Sequence, residues 1–355
     1  MNAALIPVFT AVLVLASGCG GTAQQMAPAA ASAAASAPPG GSSAGSAAAK
    51  APPATVKVSY AQPVAATAAM WMAHDNGTFK KYGVNTDVVR IAPPADIQAM
   101  VGGDTQFGFG GTGAMAAAAG GANLKFIAIT TGVYLQTVFA NNSIQKMSDL
   151  VGKSVGATTK GGPSDFAIHT VLAREGVDAS KVNILYLRDD NANVAALESG
   201  QIPAAILTSP NNLRAAKDGF HLVVDMTPLK IHTATQGIFV RADWAQQHQD
   251  TVLNFLKAYL ESVKVDKTDA AAAKATITKW TQIEDQAIVD ESYRSTLAGL
   301  AWDPVPLDDE FQNIIDLTDD PKIKALTPSA YYDASYLQKL DGFIHDLYPN
   351  GIPSD

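Results

Sequence analysis

From residue 56 onward, short β-type runs alternate with helical ones, and the alternation runs through twice. The first series reads VKVSY as strand, AATAAMWMAHDNG as helix, VNTDVVRI as strand, PADIQAMVGG as helix, TQFGFG as strand and AMAAAAGGA as helix, with further strands at 124–131 and 136–140. After MSDLVGK the rhythm restarts: strand SVGATT, helix 164–175, strand VNILYL, helix 192–199, strand PAAILT, helix 209–217 and strand HLVVDM. Such repetition places parallel strands in one sheet with helices on its faces, because a parallel crossover needs a dozen or more residues. Two α/β lobes are therefore predicted. Beyond about residue 240 the chain reads as helical, with Val252, Leu256, Tyr259, Leu260 and Val263 spaced to form one buried stripe. The expected division is 56–145 together with 240–355 as lobe I, and 146–239 as lobe II. The chain then crosses between lobes twice, with hinges near 141–148 and 233–243, and ends in a helical C-terminal tail. A cleft would face the carboxyl ends of the strands, where open α/β sheets take ligands.

The segment ahead of this body has a different character. MNAALIPVFTAVLVLASGC opens the chain, and Cys19 is its only cysteine. Residues 1–18 read as an export leader with a short hydrophobic region. The small residues ASG directly before the cysteine resemble a bacterial lipoprotein signal, which implies cleavage before Cys19 and lipid attachment there. It departs from that signal in having no Lys or Arg ahead of the apolar run and Ala16 where Leu is usual; a leader cut elsewhere, with an incidental cysteine, is the alternative. Residues 19–55, almost entirely Ala, Ser, Gly and Pro after Cys19, cannot bury enough apolar surface to offset their ordering entropy and are expected to be a tether of roughly 30 Å.

Composition narrows the function classes. Net charge is -8, and Lys and Arg are scattered rather than gathered on one helix, which argues against a nucleic-acid partner. With Cys19 committed to an anchor, the body has no thiol, so disulfides, thiolate catalysis and cysteine metal sites are excluded. The six histidines, His74, His169, His221, His232, His248 and His345, are dispersed with no HExxH, so no metal site is expected.

GFGGTG, Gly108–Gly113, satisfies GxGxxG, but no Asp or Glu follows from Thr105 through Ser148 to hold a ribose, and the motif follows the third strand rather than the first. A small-residue turn at the cleft floor is the favoured reading, with no cofactor. No GxSxG is present, and His169 lies about 140° around the helix from Ser164, too far to serve it as a base. The carboxylates of WDP and TDDPK read as solvated surface. What remains is a series of strand ends rich in small polar groups. Gln62 and Pro63, then Gly111 and Thr112, then Thr131, Gly132 and Tyr134 supply the first lobe's candidates. Thr159, Gly161, Gly162, Pro163 and Ser164, with Thr208 and Ser209, supply the second's. At the 158–176 junction, TTKGGPSDFAIHTVLAREG, helix N–H groups are available either to an anion or to capping by Ser164 or Asp165.

The order of several motifs is similar to one family: AHDNGTFKKYGVNTDVV, GGDTQFGFGG, AAAAGGANLKFIAITT, DLVGKSVGATTKGGPSDFAIHTVLAREGVD, NVAALESGQIPAAILTSP and YDASYLQKLDGFIHDLY, covering most of 57–348. It resembles the substrate-binding proteins of ABC transporters for nitrate, sulfonates and taurine, with the related binders of thiamine pyrimidine precursors. The resemblance implies a two-lobed periplasmic-binding-protein fold (type II), no enzymatic activity, and a monomer. Such a protein would be exported to the periplasm or cell surface, hold a small solute between its lobes and deliver it to an ABC permease. It also implies that Gly161, Gly162, Pro163 and Ser164 line the cleft as a cradle for an anion or polar group. Two other readings are a ligand-sensing receptor and an enzyme of pyrimidine-precursor metabolism on the same fold; relatives of the latter kind use His and Cys, and the body has no Cys. Lys160 is the one basic residue in the candidate loops, so a singly charged or neutral polar solute fits better than a dianion. Pro203 stands where the family commonly has an acidic residue.

Overall fold

The computed structural model describes residues 54–353; the leader, Cys19 and the tether up to residue 53 lie outside the described residues. Four strands come first: β1 (Ala54–Tyr60), β2 (Val84–Arg90), β3 (Phe107–Gly110) and β4 (Leu124–Val133). The next five are β5 (Thr137–Ala140), β6 (Ser154–Ala157), β7 (Asn183–Tyr186), β8 (Ala204–Leu207) and β9 (His221–Asp225), and β10 (His232–Arg241) follows. They form two five-stranded sheets, in the orders β2-β1-β3-β10-β4 and β7-β6-β8-β5-β9. Each sheet has a parallel trio, joined by one antiparallel strand to the last. The two plans match position for position.

Three boundaries differ from expectation. Ala54 and Thr55, expected in the tether, already pair with Val84 and Asn85, because an edge partner lies alongside them. β5 joins the second sheet rather than the first. β10, which takes up most of the expected hinge at 233–243, is a strand inside the first sheet. The chain crosses between sheets at 134–136 and 226–231, not at 145/146 and 239/240. β10 reads poorly as a strand because its Thr233 and Thr235 are buried polar residues. In-line polarity masks the apolar Ile238, Phe239 and Val240, which turn alternately into two separate core clusters.

The helix Gln249–Thr268 presents the predicted stripe: Val252, Leu256, Tyr259, Leu260 and Val263 are all buried, joined by Phe255. Phe255 stacks on Phe107 of β3 with ring centroids 3.8 Å apart and on Phe79 at 4.6 Å. Burying each such ring removes apolar surface from water at about 25 cal/mol per Å². This fastens the helix to the first sheet.

A second core cluster runs through both sheets without interruption. Phe126 and Phe239 from the first sheet and Ala204 and Ile206 from the second share it with Phe311 and Ile314 of the helix Asp308–Leu317. That helix, in the tail assigned to lobe I, packs on β10 and also on the helix Pro163–Arg174 of the second sheet. Its first turn carries the carboxylates of Asp308 and Asp309, favourable against the positive end of the helix, and the buried Glu310.

Candidate functional site

Where the sheets face each other, the carboxyl ends of their parallel strands enclose a cavity of about 670 Å³. β1 delivers Gln62, β3 delivers Gly111 and Thr112, and β4 contributes Thr131. From the second sheet, the loop after β6 brings Thr159, Gly161, Gly162, Pro163 and Ser164, and the end of β8 brings Thr208 and Ser209. Eleven of the fourteen expected residues therefore meet at one cavity, as strand ends should.

Three are not in the lining. Pro63 sits between the lining residues Gln62 and Val64. Gly132 lies on β4 beside the tail helix, where an added Cβ would stand 2.6 Å from Glu310 Oε1. Tyr134 is fully buried at the first crossing, its hydroxyl 3.4 Å from both Asn313 Oδ1 and Thr170 Oγ1. Alternation along β4 accounts for Gly132, since successive residues face opposite sides of a sheet.

Gly111 is required for steric reasons. A Cβ there would sit 2.0 Å from the Thr235 carbonyl oxygen of β10. The GFGGTG stretch is thus a close approach of two backbones that brings the helix Thr112–Ala119 to the cavity edge. Thr112 Oγ1 in turn donates to the Gly161 carbonyl, a hydrogen bond from one sheet's loops to the other's. Ser209 Oγ donates to Ser292 Oγ at 3.1 Å, a second link across the opening.

The 158–176 junction is largely satisfied from within. Gly161 N–H donates to Asp165 Oδ2 at 2.8 Å, Gly162 N–H donates to the Thr159 carbonyl at 3.0 Å, and Pro163 has no N–H. Ser164 Oγ accepts from Thr158 N–H at 2.8 Å and pairs with Thr158 Oγ1 at 2.8 Å. The expected cradle thus already holds a carboxylate, that of Asp165. Tyr186 also donates to Asp165 at 2.8 Å, and His169 Nε2 lies 3.4 Å away. Burial opposes ionisation of Asp165, yet the hydrogen bonds from His169, Gly161 and Tyr186 outweigh it and hold the carboxyl below the usual range. The same hydrogen bond to Asp165 raises His169, against partial burial.

Several lining residues carry no motif and were not anticipated: Asp96, Gln136, Asp190, Gln236, Ser295 and Thr296. Asp96 is 5% exposed and its Oδ1 has no partner in the protein; burial pushes its carboxyl up. Asp190 is buried at the start of the helix Asp190–Glu198. Its Oδ2 accepts from Thr208 N–H at 3.0 Å and from Thr208 Oγ1, while burial pushes it up to about 6. Gln136 lies in the first crossing with Oε1 unpartnered. Among the described residues no group of three or more His, Cys, Asp or Glu is placed to hold a metal ion.

Two sheets of matching strand order with a cavity between their strand ends are the periplasmic-binding-protein fold. The chain belongs to the NMT1/THI5-like family, whose model matches residues 65–271. A candidate binding protein of Brucella abortus is 30% identical over 156 residues, 44% of this chain and 48% of that relative. A candidate ABC transporter periplasmic binding protein of Brachyspira hyodysenteriae is 29% identical over 131 residues, 37% of each chain. The matched stretch is about half the length of the first relative and less of the second. Among solved structures, the nitrate-binding protein of Synechocystis superposes with a TM-score of 0.72 at 15% identity, covering 85% of this chain and 92% of that one. The alkanesulfonate-binding protein of Xanthomonas axonopodis pv. citri, bound to MOPS, gives 0.66 at 19% identity, covering 81% and 98%. These likenesses establish the fold. No helix among the described residues is long and apolar enough to cross a membrane.

Proposed function

We propose that this protein is the solute-binding component of an ABC import system, capturing a small molecule between its lobes and handing it to a membrane permease. The observation that carries the reading is the cavity itself: it is walled by strand ends of both sheets and bridged by Thr112 and Gly161 from opposite sides. A solute held there touches both lobes at once, so its binding energy favours the closed arrangement over an open one. Binding rather than chemistry is the proposed action, with the hydroxyls of Ser164 and Thr208 engaged within the protein. Export, and anchoring through a lipid on Cys19, belong to the same proposal, since a receptor tethered by residues 19–53 stays within reach of its permease.

The test is a thermal-shift screen of the chain from residue 54 against sulfonates, nitrate, bicarbonate, aromatic acids, amines and pyrimidines. A solute present at about 100 times its dissociation constant should stabilise the protein by about 2.7 kcal/mol. A stabilising solute whose effect is lost when a bulky ring is added to the cavity wall by Gln62→Trp supports the reading. Well-folded protein that responds to nothing in the panel counts against it.

A further inference from the structure

We infer that the solute is a cation, or a neutral molecule rich in N–H or O–H donors, carried on a largely apolar body, and not a small oxyanion. This rests on the solute-binding reading above and names the chemistry of the same cavity. Three observations support it.

The first is the charge of the wall. Among the described residues lining the cavity, the charged ones are Asp96, Asp190 and Lys160. Lys160 is exposed, whereas both carboxylates are more than nine-tenths buried. An oxyanion in this space would meet two buried carboxyls and no guanidinium, and desolvating it without a partner is strongly unfavourable.

The second is the state of the helix N-terminus at Pro163. A free N-terminus would attract an anion, but here the Gly161 N–H is already used by the Asp165 carboxylate. An arriving anion would find few first-turn donors, chiefly Ser164 N–H, and would sit near a resident carboxylate that Tyr186 and His169 also hold.

The third is what the wall lacks. Asp96 Oδ1 and Gln136 Oε1 are buried acceptors without protein partners, and Thr131 Oγ1 is a buried hydroxyl without one. Buried acceptors are normally satisfied, so unpartnered ones on residues of the cavity wall, which a turn of the side chain would bring to the cavity, are where a ligand's donors would be met. Asp190 is not part of this set, because Thr208 already occupies it. The apolar requirement follows from Ile97, Phe109, Val133, Leu135, Ile206 and Leu207, which line the remaining wall. A volume of about 670 Å³ suits a molecule much larger than nitrate.

The experiment compares four ligands that share one ring and differ in the head group: naphthalene-2-carboxamidinium, -carboxamide, -carboxylate and -sulfonate, with nitrate as a fifth probe. Affinities are measured by calorimetry near neutral pH, alongside the thermal-shift screen. The amidinium should bind at least about tenfold tighter than the sulfonate, with the carboxamide between them. Asp96→Asn should weaken the amidinium about tenfold and leave the carboxamide within about threefold. The ranking on the unaltered protein decides the matter even if the variant folds poorly. Tightest binding by the sulfonate, the carboxylate or nitrate would overturn the assignment of ligand class while leaving the receptor reading standing. Silence from these five probes and from the whole screen counts against both.

Discussion

Replacing Asp165 by Asn should destabilise the protein in a pH-dependent way. The carboxylate is buried and accepts from Gly161 N–H and from the Tyr186 hydroxyl, each at 2.8 Å, with His169 Nε2 at 3.4 Å. Asn retains one acceptor oxygen, so one of the two short bonds survives as a neutral bond and the other faces an NH₂ group that cannot accept. A bond to a charged group is worth about 1.5–3 kcal/mol net and a neutral one about 1, so the predicted loss is about 2–4 kcal/mol. The pH dependence follows from the two shifts. Asp165, depressed, contributes stability that is present above the ordinary carboxylate range and lost as pH falls through its lowered value. His169, raised, contributes stability that is full below its ordinary value near 6.5 and lost as pH rises through the raised one. The variant removes both parts, so its deficit should be greatest between about pH 4.5 and 6.5 and smaller at about pH 9. Urea unfolding followed by circular dichroism across that range measures it. A deficit under about 0.5 kcal/mol, or one constant from acid to alkaline pH, would refute the view that this carboxylate is the fixed anion of the helix terminus.

Other perturbations test other parts of the structure. Gly111→Ala places a methyl group 2.0 Å from the Thr235 carbonyl, where only backbone movement relieves it, and should lower stability by about 3 kcal/mol in thermal melts. Thr112→Val removes the hydrogen bond to Gly161 without changing shape; solute affinity should weaken by about 2- to 12-fold, whereas unchanged affinity would take this bond out of closure. Glu310, pushed up to about 8 by burial, stays protonated in the folded state while the unfolded chain ionises near 4.3, so it makes stability fall as pH rises between those values. Glu310→Gln keeps the capping geometry at Leu307 and should flatten that fall, leaving the variant more stable than the parent at about pH 8 by urea titration.

Much of the architecture was legible because it rests on local periodicity. The βα rhythm located nine of the ten strands, and the 3.6-residue spacing of Val252, Leu256, Tyr259, Leu260 and Val263 located the buried face of their helix. The strand ends led to the cavity, since parallel sheets present those ends on one side. What stayed hidden depends on tertiary partners. β10 carries buried threonines whose polarity makes sense only beside the cavity and the crossing. Asp96 and Asp190 look like ordinary first-turn acids of short helices, and nothing in their spacing says that they face a closed space. In the sequence Asp165 reads only as a capping residue. Its occupation of Gly161 N–H depends on a loop that doubles back, and the tyrosine that also holds it comes from 21 residues further along.

The insertion of β10 between β3 and β4 also has a consequence for the order in which the chain acquires its structure. The second sheet is continuous in sequence: every one of its strands lies between residues 137 and 225, so it can assemble as soon as that stretch is complete. The first sheet cannot. Its opening strands have no bridge to β4 until residue 232 is reached, and part of its core awaits Phe311 and Ile314. Contacts spanning more than a hundred residues close slowly, because loop entropy must be overcome before they reward it. Pulse-labelled hydrogen exchange during refolding should accordingly find protection in β5–β9 before β1–β3; the reverse order would show that topology does not govern the sequence of events. The half of the molecule made first is therefore the half finished last.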